Sequence, residues 1–135
     1  MSRVELVRAP ALAQNAPYAY AARAPGDLVF TAGACPLDES GEVVHPGDPA
    51  AQAEQVMRNL RDALAAAGCD LTDVAKTTVY VASADRADLV AAWEVISAAF
   101  GDHDPPSTLL GVAVLGYPDQ LIEVEAVAVT PSAEG

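Results

Sequence analysis

The sequence predicts an α+β fold in which a mixed β-sheet carries two helices on one face. Three observations predict it. Short segments with period-2 alternation or β-branched runs are punctuated by Pro, Gly and Asn, and two longer segments carry apolar residues at helical spacing. Their order reads β-β-β, helix, β, helix, β-β. A chain of 135 residues fits a single domain, 1–135, which buries roughly two thirds of its unfolded surface without help from metal or disulfide.

The first three strands fall at 4–7, 18–23 and 28–31, bounded by Asn15-Ala16-Pro17 and Pro25-Gly26-Asp27. A polar turn, Asp38-Glu39-Ser40-Gly41-Glu42, then separates Leu37 from Val43-Val44, with Gly41 supplying a positive φ. Asp48 caps the first helix, and Pro49 takes the first helical position, where its missing N–H costs nothing. This helix runs to Ala67 and stops at Gly68. Val56, Leu60 and Leu64 recur every four residues, and Ala53, Met57, Ala63 and Ala67 widen them into one buried face. Residues 74–81 (VAKTTVYV) are rich in β-branched residues and form a strand.

Ser83-Ala84-Asp85 starts the second helix. Leu89, Trp93, Ile96 and Phe100 share one of its faces, and Gly101 supplies the left-handed residue that ends it. Two strands, 108–115 and 121–130, follow Pro105-Pro106. Right-handed crossovers place both helices on the same face of one sheet. In the last strand Ile122, Val124, Ala126 and Ala128 point one way, while Val127 and Val129 point the other, beyond Glu123 and Glu125. Two helices shield only one face, so the other is expected to be buried against copies of the same chain.

Composition removes several classes of function. The formal net charge is −12 and the seven cations are scattered, a field that repels phosphate backbones and anionic lipid. Neither a nucleic-acid partner nor a membrane surface is expected. Residues 1–10 contain no apolar run of signal-peptide length, and the Ala-rich segment 50–67 is broken by Glu54, Arg58, Arg61 and Asp62. Cys35 and Cys69 stand in no metal or redox spacing and read as inert thiols of a reducing compartment, the cytoplasm.

Few side chains advertise chemistry. Glu123 and Glu125 share one face of a strand with apolar neighbours, which leaves two readings open. At a subunit interface, desolvation would make the carboxylate a usable general acid or base; at a sheet edge the pair would only guard against aggregation. His45 and His103 read as loop residues, because no spacing brings together the three or four ligands that a metal needs. The glycines at 26, 33, 41 and 47 form no phosphate loop. Ser107-Thr108, after two prolines, either caps a strand or holds a ligand.

Five segments occur in a telling order: Ala16-Pro17-Tyr18, Val29-Phe30-Thr31-Ala32-Gly33, Asn59-Leu60…Leu64…Ala67-Gly68, Val74…Lys76-Thr77-Thr78-Val79-Tyr80, and Ile122-Glu123-Val124-Glu125-Ala126. With these the chain resembles the reactive intermediate deaminase (Rid) family over residues 16–130. The resemblance implies a chorismate-mutase-like fold and a homotrimer around a central β-barrel, with small-molecule pockets in the clefts between subunits. It also implies hydrolysis of reactive enamines and imines to a carbonyl compound and ammonia, without a cofactor.

By the same resemblance Glu123 is the catalytic carboxylate, handling the attacking water or the departing amine, while Tyr18 and Gly33 line the pocket. The family's Arg-Ser-x-Val motif is matched by Ser107-Thr108-Leu109-Leu110, so the arginine that grips a substrate carboxylate is absent. Losing that fork costs about 1.5–3 kcal/mol per bond, which argues against 2-aminoacrylate as the substrate. A common family asparagine is matched by Trp93. Trp93 and Leu109 are therefore expected to shape the pocket, with Ser107 and Thr108 donating hydrogen bonds. The expected function is an imine or enamine deaminase acting on a larger, less anionic metabolite; the alternative is a non-catalytic trimeric metabolite-binding protein using the same cleft. A ribonuclease, as some family members have been described, fits poorly with a charge of −12.

Overall fold

A computed structural model describes residues 4–131 of the chain. The elements are β1 (Glu5–Val7), β2 (Ala21–Arg23), β3 (Leu28–Phe30), α1 (Pro49–Ala66), a 3-10 turn at Leu71–Asp73, β4 (Val74–Val81), α2 (Arg86–Phe100), β5 (Ser107–Gly111) and β6 (Ile122–Val129). Their order is the expected one, with the 3-10 turn added by a capping box between Asp70 and Asp73.

The single sheet expected from the pattern is two ladders. β1 and β2 pair antiparallel with each other, and a separate four-stranded sheet runs β3-β6-β4-β5, mixed because β4 and β5 are parallel. Pro25, which offers no N–H to a ladder, and the turn after it separate β2 from β3. Two strands are shorter than their patterns. Tyr18–Tyr20 are drawn off the β2 path, with Ala19 N donating to Asp104 O (2.9 Å) and Tyr20 N to Val7 O (3.0 Å). β5 ends at Gly111 because β4, its neighbour, ends at Val81.

Both helices begin as the sequence dictates. The Asp48 carboxylate accepts from Ala51 N and that of Asp85 from Ala87 N, satisfying amides that have no partner within the helix. Gly68 and Gly101 take φ values of 84° and 64° beyond the last turns. α1 buries Ala53, Val56, Met57, Leu60 and Leu64 against the sheet and α2. Ala63 and Ala67, expected on that face, are exposed, because nothing covers the C-terminal end of α1 on that side. At the other end the buried stripe includes a polar residue, Gln52.

The helices cover the sheet face formed by Val79 and Val81 of β4 and Ile122, Val124, Ala126 and Ala128 of β6. The opposite face is bare. Phe30 is 72 % exposed there, Leu28 51 % and Leu110 42 %, beside Tyr80, Glu123, Glu125 and Val127. β6 lies inside the sheet, between β3 and β4. The reading of Glu123 and Glu125 as guards on an open edge is therefore overturned. Among the described residues no helix is long and apolar enough to cross a membrane.

Candidate functional site

Two groups of side chains gather, one on each face of the sheet. On the helix side, Tyr18, Trp93, Ser107 and Leu109 line a cavity of about 370 Å³ together with Pro17. The β4–β5 ladder places two of them, with Ser107 opposite Thr77 and Leu109 opposite Val79. The Ser107 hydroxyl pairs with that of Thr77 and also lies 3.3 Å from Pro105 O, so it is engaged by the protein itself. Trp93 does double duty, packing on the core while its ring lines the cavity. The Tyr18 segment is pinned by Ala19 N to Asp104 O and by Arg8, which donates to Tyr18 O (2.6 Å) and to the Asp104 carboxylate (2.8 Å).

On the bare face stands Glu123. Its Oε1 accepts from Gln120 Nε2 (3.1 Å) and lies 3.6 Å from the Cys35 thiol. The rest of the side chain rests on Gly33. A Cβ added to Gly33 would overlap Oε2 and lie 2.5 Å from Cδ and 2.6 Å from Cγ, so any side chain here would force Glu123 out of this position. Burial, and then the Glu123 charge, push the Cys35 thiol up to about 11. The thiol therefore stays protonated at neutral pH, a donor and not a nucleophile. Glu125, two positions on, accepts from the Tyr80 hydroxyl (2.7 Å), and this carboxylate is the main cause that raises the phenol above its usual range.

Helix α1 holds both walls of the Glu123 group. The buried Gln52 amide donates to Val44 O (3.1 Å) and Asp119 O (2.9 Å) and accepts from Leu121 N (2.8 Å), which fixes the segment carrying Gln120. Asn59 donates to Cys35 O (2.8 Å) and Leu37 O (2.9 Å), which fixes the segment carrying Cys35.

The chain has known relatives. The family model described as endoribonuclease L-PSP matches residues 8–130, starting earlier than the resemblance seen in the motifs. The chain is 36 % identical to the 3-aminoacrylate deaminase RutC of Acinetobacter baylyi, over 84 % of this chain and 86 % of that protein. It is 37 % identical to the 2-iminobutanoate/2-iminopropanoate deaminase of Rattus norvegicus, over 75 % of this chain and 72 % of that one. Among solved structures, a Rid family protein, YyfB of Yersinia pestis, aligns with a TM-score of 0.87 at 29 % identity, covering 93 % of this chain and 98 % of that one. The chain belongs to the Rid family.

In this Rid protein the residues singled out from the sequence do not form one pocket. Tyr18, Trp93, Ser107 and Leu109 come together, and Gly33 meets Glu123, but the two groups face away from each other. Ser107 pairs with Thr77 and Glu123 with Tyr80, three positions apart on β4, so they point to opposite faces. Thr108 also points away from the cavity and accepts from Lys76 Nζ (2.7 Å) on the bare face. His103 is more than a loop residue, its ring lying 2.7 Å from Val74 O and packed on Phe100. Among the described residues no three of His, Cys, Asp and Glu converge as metal ligands.

Sequence reasoning missed Gln52, Asn59, Cys35, Gln120 and Arg8. One of these carried a signal. Gln52 lies four residues before Val56 on the apolar stripe of α1, and a polar residue on such a stripe is buried only when it has partners. Asn59 stands in a family motif without an assigned role, Gln120 acts through local bonds to Tyr117, Ile122 and Glu123, and Cys35 and Arg8 act through contacts between distant segments.

Proposed function

We propose that this Rid protein hydrolyses an imine or enamine larger and less anionic than 2-aminoacrylate, in a cleft completed by two copies of the chain. One copy contributes Glu123 over Gly33. Its neighbour contributes the cavity lined by Tyr18, Trp93, Ser107 and Leu109. The observation that carries this reading is the separation of the two groups onto opposite sheet faces, together with the apolar exposure around Glu123. A single chain places Glu123 on one side, near a hollow of about 280 Å³ lined by Phe30, Lys76 and Glu125, and the Tyr18–Trp93 cavity, which no carboxylate among the described residues lines, on the other. A bare apolar face of this kind favours self-association, and the family resemblance supports a trimer.

Glu123 is the group suited to move protons. As water adds to the carbon of the protonated imine, the carboxylate takes a proton from the attacking oxygen, giving a neutral carbinolamine. That proton then passes to the amine nitrogen, and as ammonia leaves, the hydroxyl proton returns to the carboxylate and the carbonyl forms, ammonia carrying the proton away as ammonium. An enamine enters by first taking a proton at carbon to become the protonated imine. Tyr18, Trp93 and Leu109 offer an apolar wall and no cation, which suits a substrate without a carboxylate at that end. Two free thiols fit a reducing, cytoplasmic setting.

The test is ammonia release from imines generated in situ by amino-acid and amine oxidases. Acceleration over spontaneous hydrolysis is expected, strongest for imines lacking a carboxylate, and Glu123→Gln abolishes it. Full turnover in Glu123→Gln refutes the assigned role. No acceleration for any imine, with a metabolite found seated in the cavity, refutes the hydrolase reading and leaves a binding protein.

A further inference from the structure

We propose that Gln120 and Cys35 are positioning residues that hold Oε1 of Glu123, so that Oε2 is the oxygen that takes and returns the proton. The proposal rests on the reading of Glu123 as general acid–base. It starts from the Gln120 amide, which is 3 % exposed and fully committed. Its oxygen accepts from Tyr117 N (3.1 Å), and its nitrogen donates to Ile122 O (3.0 Å) and to Glu123 Oε1 (3.1 Å).

These partners decide the orientation of the amide. Turned over, it would set its NH₂ against the Tyr117 N–H and its oxygen against the Ile122 carbonyl, losing both bonds. A donor therefore always faces Glu123. The thiol of Cys35, whose one proton can go to Gly33 O (3.5 Å) or to this Oε1 (3.6 Å), offers a second donor toward the same oxygen, and the Asn59 bond to the Cys35 carbonyl holds the segment in place. Oε2 receives no hydrogen bond from the described residues and lies over Gly33. An oxygen that accepts donors is less basic than its undonated twin, so a proton goes to Oε2.

The remaining titratable groups around Glu123 do not compete for this role. Tyr80 stands directly opposite on β4, but its hydroxyl is turned to Glu125. Glu125 shares the face two residues along the strand. The helices pack on the other face and present nothing to Glu123.

Full-length Gln120→Met and Cys35→Val remove the donors at similar size, and Cys35→Ser keeps one. Two readouts are taken: the pH profile of kcat/KM on the best imine, and the carbon-13 titration of the residue 123 carboxyl, assigned with Glu123→Gln. Each donor removed should move the acid-side midpoint of the profile upward. It should also lower kcat more than it changes KM, and Cys35→Ser should return toward the parent. Unmoved midpoints in both Gln120→Met and Cys35→Val overturn the proposal, as does a change in KM alone. If Gln120→Met does not fold, Cys35→Val against Cys35→Ser decides the question. An inactive parent protein overturns the hydrolase reading and leaves the carboxyl titration to judge, by itself, whether Oε1 is held.

Discussion

Gly33→Ala tests whether Glu123 acts where it is held. Gly33 is not among the glycines at positive φ, so its backbone accepts alanine without strain, and the loss of unfolded-state freedom favours the variant by about 0.4–1 kcal/mol. The new methyl nevertheless collides with Glu123 as far back as Cγ, at 2.6 Å. Rotating the carboxylate alone gives no relief, and the side chain must adopt another rotamer. That abandons the bond from Gln120 and the thiol contact, a loss of about 1.5–3 kcal/mol for a charged acceptor, partly offset because the carboxylate can turn to water. Net destabilisation of about 0.5–2.5 kcal/mol is expected, a few degrees in melting temperature. Activity falls further, since displacing a proton-transfer group by about 1 Å costs on the order of a hundredfold. Thermal denaturation and imine-hydrolysis kinetics measure both. A Gly33→Ala protein with parental kcat/KM would show that the side-chain position drawn by this packing is not the active one.

Three further expectations use the same structure. Ser107→Arg restores a guanidinium at the cavity and should raise kcat/KM on carboxylate-bearing imines at least about tenfold, without helping carboxylate-free ones; equal rates on both would mean that position 107 does not meet the substrate. Gln52→Leu leaves the backbone groups of 44, 119 and 121 without their partner, and urea denaturation should show a loss of about 3–5 kcal/mol; a loss under about 1 kcal/mol would mean that these groups are satisfied by water. Phe30→Asp puts a charge on the bare sheet face and should give a monomeric mass in light scattering where the parent is expected to give a trimer, with the proposed activity lost alongside; a trimeric, active variant would move the interface elsewhere.

The elements that read clearly from the sequence are those set by local chemistry. Asp48-Pro49 and Asp85 mark helix starts because a capping carboxylate acts within three residues, and 74–81 reads as a strand because each β-branched residue favours that backbone by itself. The separation of β1 and β2 from the main sheet was not legible, since alternation shows that a strand exists without naming its partner. The site divides in the same way. Tyr18, Gly33 and Glu123 stand in motifs, whereas the contact of Cys35 with Glu123 joins segments 88 residues apart, and that of Gln120, only three residues from Glu123, depends on the turn that aims its amide. Thr108 illustrates the remaining difficulty: it sits between two cavity residues in sequence, yet the strand's alternation turns it to the other face.

The charge of the chain and the wall of the cavity act on the substrate in one direction. A net charge of −12 lowers the local concentration of any anion, and the screening length of about 8 Å at physiological salt leaves groups inside a cleft exposed to their immediate neighbours. Near Tyr18 the neighbouring ion pair is Arg8 with Asp104, already neutralised and spent on holding the backbone. A carboxylate entering the cavity would thus give up its hydration with no cation to replace it, a loss that only a bidentate arginine could offset. A substrate with an apolar or aromatic group at that end gives up nothing comparable and gains contact with Trp93 and Leu109. On the proposed reading, a serine at position 107 within this acidic protein therefore favours a substrate that brings no carboxylate to that end of the pocket.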